Sequence, residues 1–151
     1  MKIEDELKSS FRNEYHKLIV NLQLTHIRVS ERFHHFLKEY DITPTQYNVL
    51  RILRGQQKNP VSIGLIKERM IDRNSDASRI IERLSKKKLV KRTENKIDRR
   101  QKDIIITNAG LDLLGAIDKV EQEVDQMLSH ITPEEAKNLN QLLDKLRSKN
   151  E

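Results

Sequence analysis

The sequence predicts a mainly α-helical chain that carries one small β-hairpin, and three observations support this fold class. Apolar residues recur every three or four positions along most of the chain, which is the spacing of amphipathic helices. Only four Gly and three Pro occur in 151 residues, so few breaks separate the helices. Two short extended runs, Leu89–Thr93 and Lys102–Thr107, are the exception and predict the strands of the hairpin.

A long helix is predicted near the start of the chain, from about Phe11 to Tyr40. Ile3 and Leu7, four positions apart, predict one or two helical turns before it. Because a helix this long reaches beyond the core of so small a domain, we expect it to take part in dimerisation. A single apolar stripe runs along it at steps of three or four residues: Tyr15, Leu18, Leu22, His26, Val29, Phe33, Phe36 and Tyr40.

Two more helices are predicted next, and the second of them is predicted to form a helix-turn-helix with the helix that follows it. Thr43 is a capping residue, a proline occupies the first helical position, and Gln46 completes a capping box at the start of a helix over Pro44–Arg54. A short helix over Ser62–Met70 comes next, and a turn at Ile71–Asn74 leads into the following helix. Two short helices around a tight turn are typical of DNA-binding units.

The helix after this turn, from Ser75 to about Lys87, has two distinct faces. Apolar side chains suited to a core share one face, and short polar or long cationic side chains share the other. Serine and arginine can reach base edges in a DNA major groove, and arginine and lysine can reach phosphates. The core face holds Ala77, Ile80, Ile81 and Leu84, and the polar face holds Ser75, Arg79, Glu82 and Lys86, with Ser78 and Arg83 beside it.

Positive charge is concentrated around this helix and the hairpin. The stretch from Lys67 to Lys102 holds fourteen Lys and Arg against six Asp and Glu, a balance of +8 in a chain whose total is +6. A solvated basic face on an ordinary surface helix is the alternative interpretation. The helix, the hairpin and the local charge together favour a module that binds double-stranded DNA, with the hairpin as a wing.

The remaining chain is predicted to form two more helices. Thr107 can cap a helix over Asn108–His130, and the segment from Thr132 to Glu135 has the residues of a second capping box. Leu139, Leu142, Leu143 and Leu146 give the last helix an apolar side. We therefore predict one domain over residues 1–151: a winged helix-turn-helix at about 44–107, with dimerisation helices at about 1–40 and 108–151.

Several functional classes are excluded by what the sequence lacks. Without cysteine there is no disulfide, thiolate nucleophile or thiolate zinc site. The first ten residues lack the apolar core of a secretory signal, and no apolar run approaches the roughly 20 residues that span a bilayer. No glycine-rich phosphate loop or nucleophile elbow supports an enzyme. We expect a cytoplasmic protein of bacterial type, without cofactor or membrane contact, that associates with the nucleoid when DNA-bound.

The histidines do not favour a metal sensor. His34 and His35 point about 100° apart on a helix and cannot easily share one ion. His26 lies on the apolar stripe of the long helix, where a core or interface histidine is more common than a ligand. No metal site is predicted.

The chain resembles the MarR family of winged helix-turn-helix transcription regulators. The resemblance lies in SRIIERLSKKKLVKR (Ser78–Arg92), in the Asp98-Arg99-Arg100 triplet of the wing, and in the Ile106–Gly110 exit into the next helix. It implies a homodimer, joined by its N- and C-terminal helices, that reads a palindromic operator. It also implies a small aromatic or anionic effector that releases DNA. In this family the helix from Ser75 to about Lys87 corresponds to the recognition helix, which enters the DNA groove. Lys88 departs from the family pattern, which usually has glycine between the recognition helix and the wing.

Candidate residues follow from the charge pattern and from this resemblance. Asp98 is expected to hold a wing arginine in place, and either Arg99 or Arg100 is expected in the minor groove. Repression is the default mechanism, and a nonspecific architectural DNA-binding protein is the alternative function. The candidate DNA-binding residues are Ser62, Asn74, Ser75, Ser78, Arg79, Arg83, Lys86, Lys96, Arg99 and Arg100, and the candidate dimerisation residues are Leu7, Phe11, Leu18, Leu128, Leu139, Leu142 and Leu146.

Overall fold

The structure is a computed structural model that describes residues 2–95, 97–98 and 102–148, without the side chains at 121, 123 and 124. The chain divides into two compact units, Met1–Asp118 and Lys119–Glu151. The single domain expected over the whole chain stays a prediction.

The first unit contains helices and one small sheet, and the second unit contains helices. The first consists of α1 (Ile3–Leu7), α2 (Glu14–Lys38), α3 (Pro44–Gly55), β1 (Val61–Ser62), α4 (Ile63–Arg69), α5 (Ala77–Lys86), β2 (Val90–Glu94), β3 (Lys102–Ile106) and α6 (Asn108–Asp118), and the second contains α7 (Glu121–Gln126) and α8 (Pro133–Arg147). This arrangement confirms the predicted fold class, a mainly α-helical chain with a small β wing.

The long helix α2 is shorter than predicted at both ends. It begins after Asn13, whose side chain accepts the backbone N–H of His16 at 2.9 Å and so satisfies one free donor of the first turn. It ends at Lys38, and three residues later Asp41 adopts a left-handed conformation with φ 54°. The chain then turns into α3.

The sheet is antiparallel with the strand order β1-β3-β2. Strands β2 and β3 are the predicted hairpin, with Val90 opposite Ile106 at one end and Glu94 opposite Lys102 at the other. Strand β1 was not predicted, because two residues are too few to show an alternating pattern. Val61 of β1 pairs with Ile104, which joins the start of α4 to the wing.

The core of the first unit lies around α3, which packs against α4, α5, α6 and β3. The recognition helix α5 contributes three buried side chains to it, Ala77, Ile81 and Leu84, from the face predicted to be apolar. Buried side chains interdigitate with their neighbours, so they fix the orientation of α5. The largest fully buried side chains are Leu37, Val49, Leu50, Leu53, Ile66, Ile81, Leu84, Ile104, Leu114 and Ile117.

Gly110 permits a close approach between the start of α6 and the start of β2. A Cβ on this residue would lie 2.4 Å from the carbonyl oxygen of Leu89. The Thr107 hydroxyl accepts the N–H of Gly110 at 3.1 Å and donates to the carbonyl of Lys88 at 2.7 Å. Threonine and glycine together therefore tie the end of the wing to the helix that leaves it.

The second unit begins where one continuous helix over residues 108–130 was predicted. A turn at Lys119–Val120 separates α6 from α7 instead. The apolar spacing continues across the break, so the periodicity alone did not reveal it. α8 begins as predicted: Thr132 accepts the N–H of Glu135 at 3.2 Å, and Glu135 accepts the N–H of Thr132 at 2.7 Å.

Candidate nucleic-acid interface

The recognition helix α5 starts two residues later than predicted. Its N-cap is Asp76, whose carboxylate accepts the backbone N–H of Arg79 at 3.1 Å. Asn74 and Ser75, which were expected at the start of the helix, lie in the preceding turn. Serine and aspartate cap about equally well, but the Ser75 hydroxyl is bonded to Asp72, so the Asp76 carboxylate caps the helix.

The two predicted faces of α5 are present. Ala77, Ile81 and Leu84 are buried, and Ile80 is half-buried. The opposite face therefore points to solvent, where its side chains are accessible to a ligand surface. The candidate DNA-binding residues exposed on it are Ser78, Arg79, Arg83 and Lys86. Their contacts with DNA stay a prediction.

The turn before α5 is held by Asp72, a residue that was not among the predicted site residues. One carboxylate oxygen accepts the Asn74 N–H at 3.0 Å, and the other accepts the Ser75 hydroxyl at 2.6 Å. These donors, the Ser75 hydroxyl first, hold the pKa of the Asp72 carboxyl below its usual range. Ser75 thus orders the turn in this structure. Asn48 of α3 adds a second restraint, because its side-chain oxygen accepts the Ile71 N–H at 3.0 Å.

Two acidic side chains, Asp76 at the N-cap of α5 and Glu82 within the helix, have defined partners in the structure. The Asp76 carboxylate accepts a backbone N–H, and Glu82 forms an ion pair with Lys86 at 2.8 Å. The Lys86 ammonium, four residues along the helix, lowers the pKa of Glu82. Part of the Lys86 charge is therefore balanced within α5.

The C-terminal end of α5 is joined to the turn between α2 and α3. Lys87 forms an ion pair with the Asp41 carboxylate at 2.8 Å and also donates to the Asp41 carbonyl. Lys88 adopts a left-handed conformation with φ 59°, and the Leu89 N–H returns to the Leu84 carbonyl at 3.0 Å. Such a conformation favours glycine, which agrees with the family pattern from which Lys88 departs.

Ser62, a candidate DNA-binding residue, also has a structural role that was not predicted. It is the N-cap of α4, and its hydroxyl oxygen accepts the Leu65 N–H at 3.1 Å. The residue is half-buried at the end of β1. A serine hydroxyl in this position can still donate a hydrogen bond to a phosphate.

The tip of the wing is ordered by Asn95. Its side-chain oxygen accepts the N–H groups of Ile97 and Asp98, each at 2.8 Å, and its amide group donates to both carboxylate oxygens of Asp103 at 3.0 and 3.1 Å. This arrangement was not predicted, although asparagine commonly accepts from the backbone two residues ahead. Lys96, Arg99 and Arg100 lie outside the described residues, as does the arginine expected beside Asp98.

A cavity of about 470 Å³ lies beside α5 within the first unit. Its cationic side is formed by Arg79 and Arg83, and Ile80 adds an apolar patch. The cavity is formed by α2, α3 and the α5 region. The remaining lining residues are His34, Thr43, Pro44, Thr45, Gln46, Ser75 and Asp76.

The candidate dimerisation residues are mostly exposed. Phe11 is half-buried, and its ring lies 5.6 Å from His16 in an edge-on arrangement. His26 is also exposed, with Nδ1 3.4 Å from the Ser30 hydroxyl. The exposed candidates are Leu7 and Leu18 in the first unit and Leu128, Leu139, Leu142 and Leu146 in the second.

The described part of the chain holds neither a cluster of metal ligands nor a helix able to cross a membrane. Residues 2–95, 97–98 and 102–148 hold no group of three His, Asp or Glu side chains placed to bind a metal ion. Within the same ranges, no helix has the length and apolar character needed to cross a membrane.

Comparison with known sequences identifies the family. The MarR family model matches residues 42–102, which extend from the end of the α2–α3 turn to the start of β3. The HTH-type transcriptional regulator SarZ of Staphylococcus epidermidis is 30% identical over 122 residues, which cover 81% of this chain and 80% of SarZ.

Solved structures of the same fold include a mutant MarR of E. coli in complex with operator DNA. It has a TM-score of 0.80 at 24% identity and covers 93% of this chain and 100% of its own. An organohalide-sensing transcriptional regulator in its 2,4-dichlorophenol-bound form has a TM-score of 0.81 at 21% identity, covering 89% of this chain and 80% of its own. With the SarZ similarity and the family match, this chain belongs to the MarR family of DNA-binding transcription regulators.

Proposed function

We propose that this chain is a transcriptional repressor that binds a palindromic operator as a homodimer and leaves it when a small ligand binds. The exposed face of α5 carries the proposal: Arg79 and Arg83 project from a helix whose other face is buried in the core. Such arginines reach guanine edges and phosphates in a major groove. Repression is the simplest result, because a protein seated on an operator blocks polymerase.

Exposed apolar side chains support a homodimer. In α8, all of whose residues the structure describes, no residue is buried, and Leu139, Leu142 and Leu146 share one exposed face. Leucines at this helical spacing normally pack against another surface. A second copy of the chain is the partner we propose, because a symmetric pair of recognition helices matches the two half-sites of a palindrome.

The cavity beside α5 supports release by a ligand. Its two arginines favour an anionic group, and Ile80 and Pro44 suit a flat apolar ring. Arg79 and Arg83 also belong to the face proposed to bind DNA, so a ligand that engages them would compete with the operator. The dichlorophenol-bound structural neighbour is a regulator that takes an aromatic ligand. We propose a small aromatic anion as the effector class here.

Selection of binding sites from a random duplex library at near-physiological salt tests the central proposal. We expect a palindrome whose half-site centres lie about one helical turn apart, ~10 bp. Recovery of no motif, with tight binding that collapses as salt rises, would instead indicate a nonspecific architectural protein.

Arg79→Ala tests whether α5 reads bases. We expect a loss of roughly 1–3 kcal/mol in operator binding and a smaller loss on unrelated duplexes, if the arginine pairs with a guanine. Glu68→Ala on the exposed surface of α4 is a control for surface truncation. An equal loss on every duplex would make Arg79 a phosphate contact.

Benzoate titration of the operator complex, followed by fluorescence anisotropy, tests the effector class. His34 lines the cavity but lies on α2, outside the candidate DNA-binding residues. We expect His34→Ala to retain operator affinity and to shift the benzoate concentration needed for release. Release that is identical in the wild type and in this variant would argue against ligand binding in this cavity.

A further inference from the structure

Ile97 is the most exposed large apolar side chain in the described part of the chain, at 98% of its full accessible area. It lies at the tip of the wing, and its sequence neighbours include the cations Lys96 and Arg99. Single exposed apolar residues are common on protein surfaces and need no special explanation. Ile97 differs from them because its backbone is fixed.

The backbone at Ile97 is held by hydrogen bonds that leave its side chain free. The Asn95 side chain accepts the N–H of Ile97 and the N–H of Asp98, and it is itself anchored to the Asp103 carboxylate of β3. Isoleucine is also stiff at its first side-chain torsion. The wing therefore presents a preorganised apolar group, and little conformational entropy is lost if that group meets a surface.

The minor groove of DNA is a surface that suits this group. DNA-binding proteins place isoleucine, leucine and similar side chains against or between base pairs in this groove. Adenine–thymine pairs show only acceptors there, whereas guanine adds a protruding 2-amino donor. Isoleucine cannot accept that hydrogen bond, so a guanine beneath it would be crowded and would lose water without a replacement partner.

We propose that Ile97 is an apolar minor-groove contact that selects A·T over G·C pairs beneath the tip of the wing. The inference rests on the proposed function, because it requires the wing to lie on operator DNA. It differs from the role expected of the wing arginines, which respond to negative potential in the groove. Ile97 instead reads the absence of the guanine amino group.

The test uses the full-length protein and the operator obtained by selection. Base pairs flanking each half-site are changed one at a time from A·T to G·C, and affinities are measured for the wild type and for Ile97→Asn. At the contacted pair we expect the wild type to lose operator affinity by roughly five-fold or more. About five-fold is the lower end of the usual cost of one mismatched base pair. Ile97→Asn can accept from guanine and is expected to lose this preference.

Inosine separates the amino group from every other feature of the G·C pair. An I·C pair lacks the 2-amino group, so we expect it to restore wild-type affinity at the contacted position. Ile97→Val retains a branched apolar side chain and is expected to keep the preference. Ile71→Asn is the matched control, because Ile71 is 89% exposed but lies in the turn before α5.

The outcomes separate this inference from the function on which it rests. If the wild type selects no operator, both fail. If it selects one and Ile97→Asn keeps the same base-pair preferences, only the role of Ile97 is overturned. The same holds if I·C behaves like G·C, or if Ile71→Asn removes the preference equally. Because Ile97 is almost fully exposed, its variants should unfold at the wild-type temperature.

Discussion

Helices α3 and α8 begin in the same way but are placed in very different surroundings. Each starts with threonine and proline and is closed by a capping box, Thr43 with Gln46 in α3 and Thr132 with Glu135 in α8. α3 then buries Leu50 completely, whereas Leu142 of α8 is 64% exposed. Local sequence therefore decides where a helix starts, while its surroundings decide how much that helix contributes to stability.

The largest difference is expected from matched leucine truncations. Leu50→Ala removes a fully buried side chain and should cost roughly 2–5 kcal/mol of unfolding free energy at any protein concentration. Leu142→Ala should cost less than about 0.5 kcal/mol in dilute protein. Urea unfolding at two concentrations checks this, and the α8 variant should lose more at the higher one if a second copy covers Leu142. Equal losses of unfolding free energy in the two variants, at both protein concentrations, would contradict a difference between α3 and α8.

Removal of the capping hydroxyls should give the next largest effect. Thr132→Ala is expected to cost about 1 kcal/mol, the usual value for an N-cap. Thr43→Ala should cost more, because Gln46 is only 5% exposed. Water therefore cannot fully replace the Thr43 hydroxyl as the partner of the Gln46 N–H. Thermal unfolding followed by circular dichroism measures both, with Thr45→Ala as a control in the same turn. Equal costs would show that burial does not strengthen the cap.

The smallest effect concerns pH, because only one of the two capping boxes can titrate. The Thr132 backbone N–H, which donates to Glu135, holds the pKa of that carboxyl below its usual range, whereas Gln46 is neutral. A lowered pKa in the folded chain means that the stabilisation is complete above the unfolded-state pKa and is lost as pH falls through the folded value.

Comparison of wild type with Glu135→Gln isolates this effect from the other carboxyl groups. The difference in unfolding temperature between the two should be constant near neutral pH and should shrink on acidification. A difference that stays constant down to the acid limit of folding would contradict a titrating cap in α8.

Features set by neighbouring residues could be predicted from the sequence. The capping boxes, the buried face of α5 and the hairpin pairing all depend on residue types a few positions apart. Strand β1 could not be predicted, because Val61 and Ser62 become a strand only by pairing with Asp103 and Ile104, about forty residues later. The turn between α6 and α7 was missed because apolar spacing persists through it.

In the candidate interface, too, features set by nearby residues could be predicted and features set by distant contacts could not. The cations of α5 were identified because helical spacing places them on one face. The restraints that position this face were missed, since they depend on contacts across the fold: Asn48 with the backbone of Ile71, and Lys87 with Asp41. The roles of Asp72 and Asn95 could have been predicted from the sequence. Both accept from backbone groups two residues ahead, which is a short-range pattern of turns.

The left-handed conformation of Lys88 has an evolutionary consequence. A residue with a side chain is disfavoured in this conformation by roughly 1–2 kcal/mol relative to its usual geometry, and glycine is not. Part of that difference is offset because glycine leaves the unfolded chain more freedom. Lys88→Gly would therefore raise the free energy of unfolding. A more stable chain could accumulate more destabilising substitutions in its core before it unfolds.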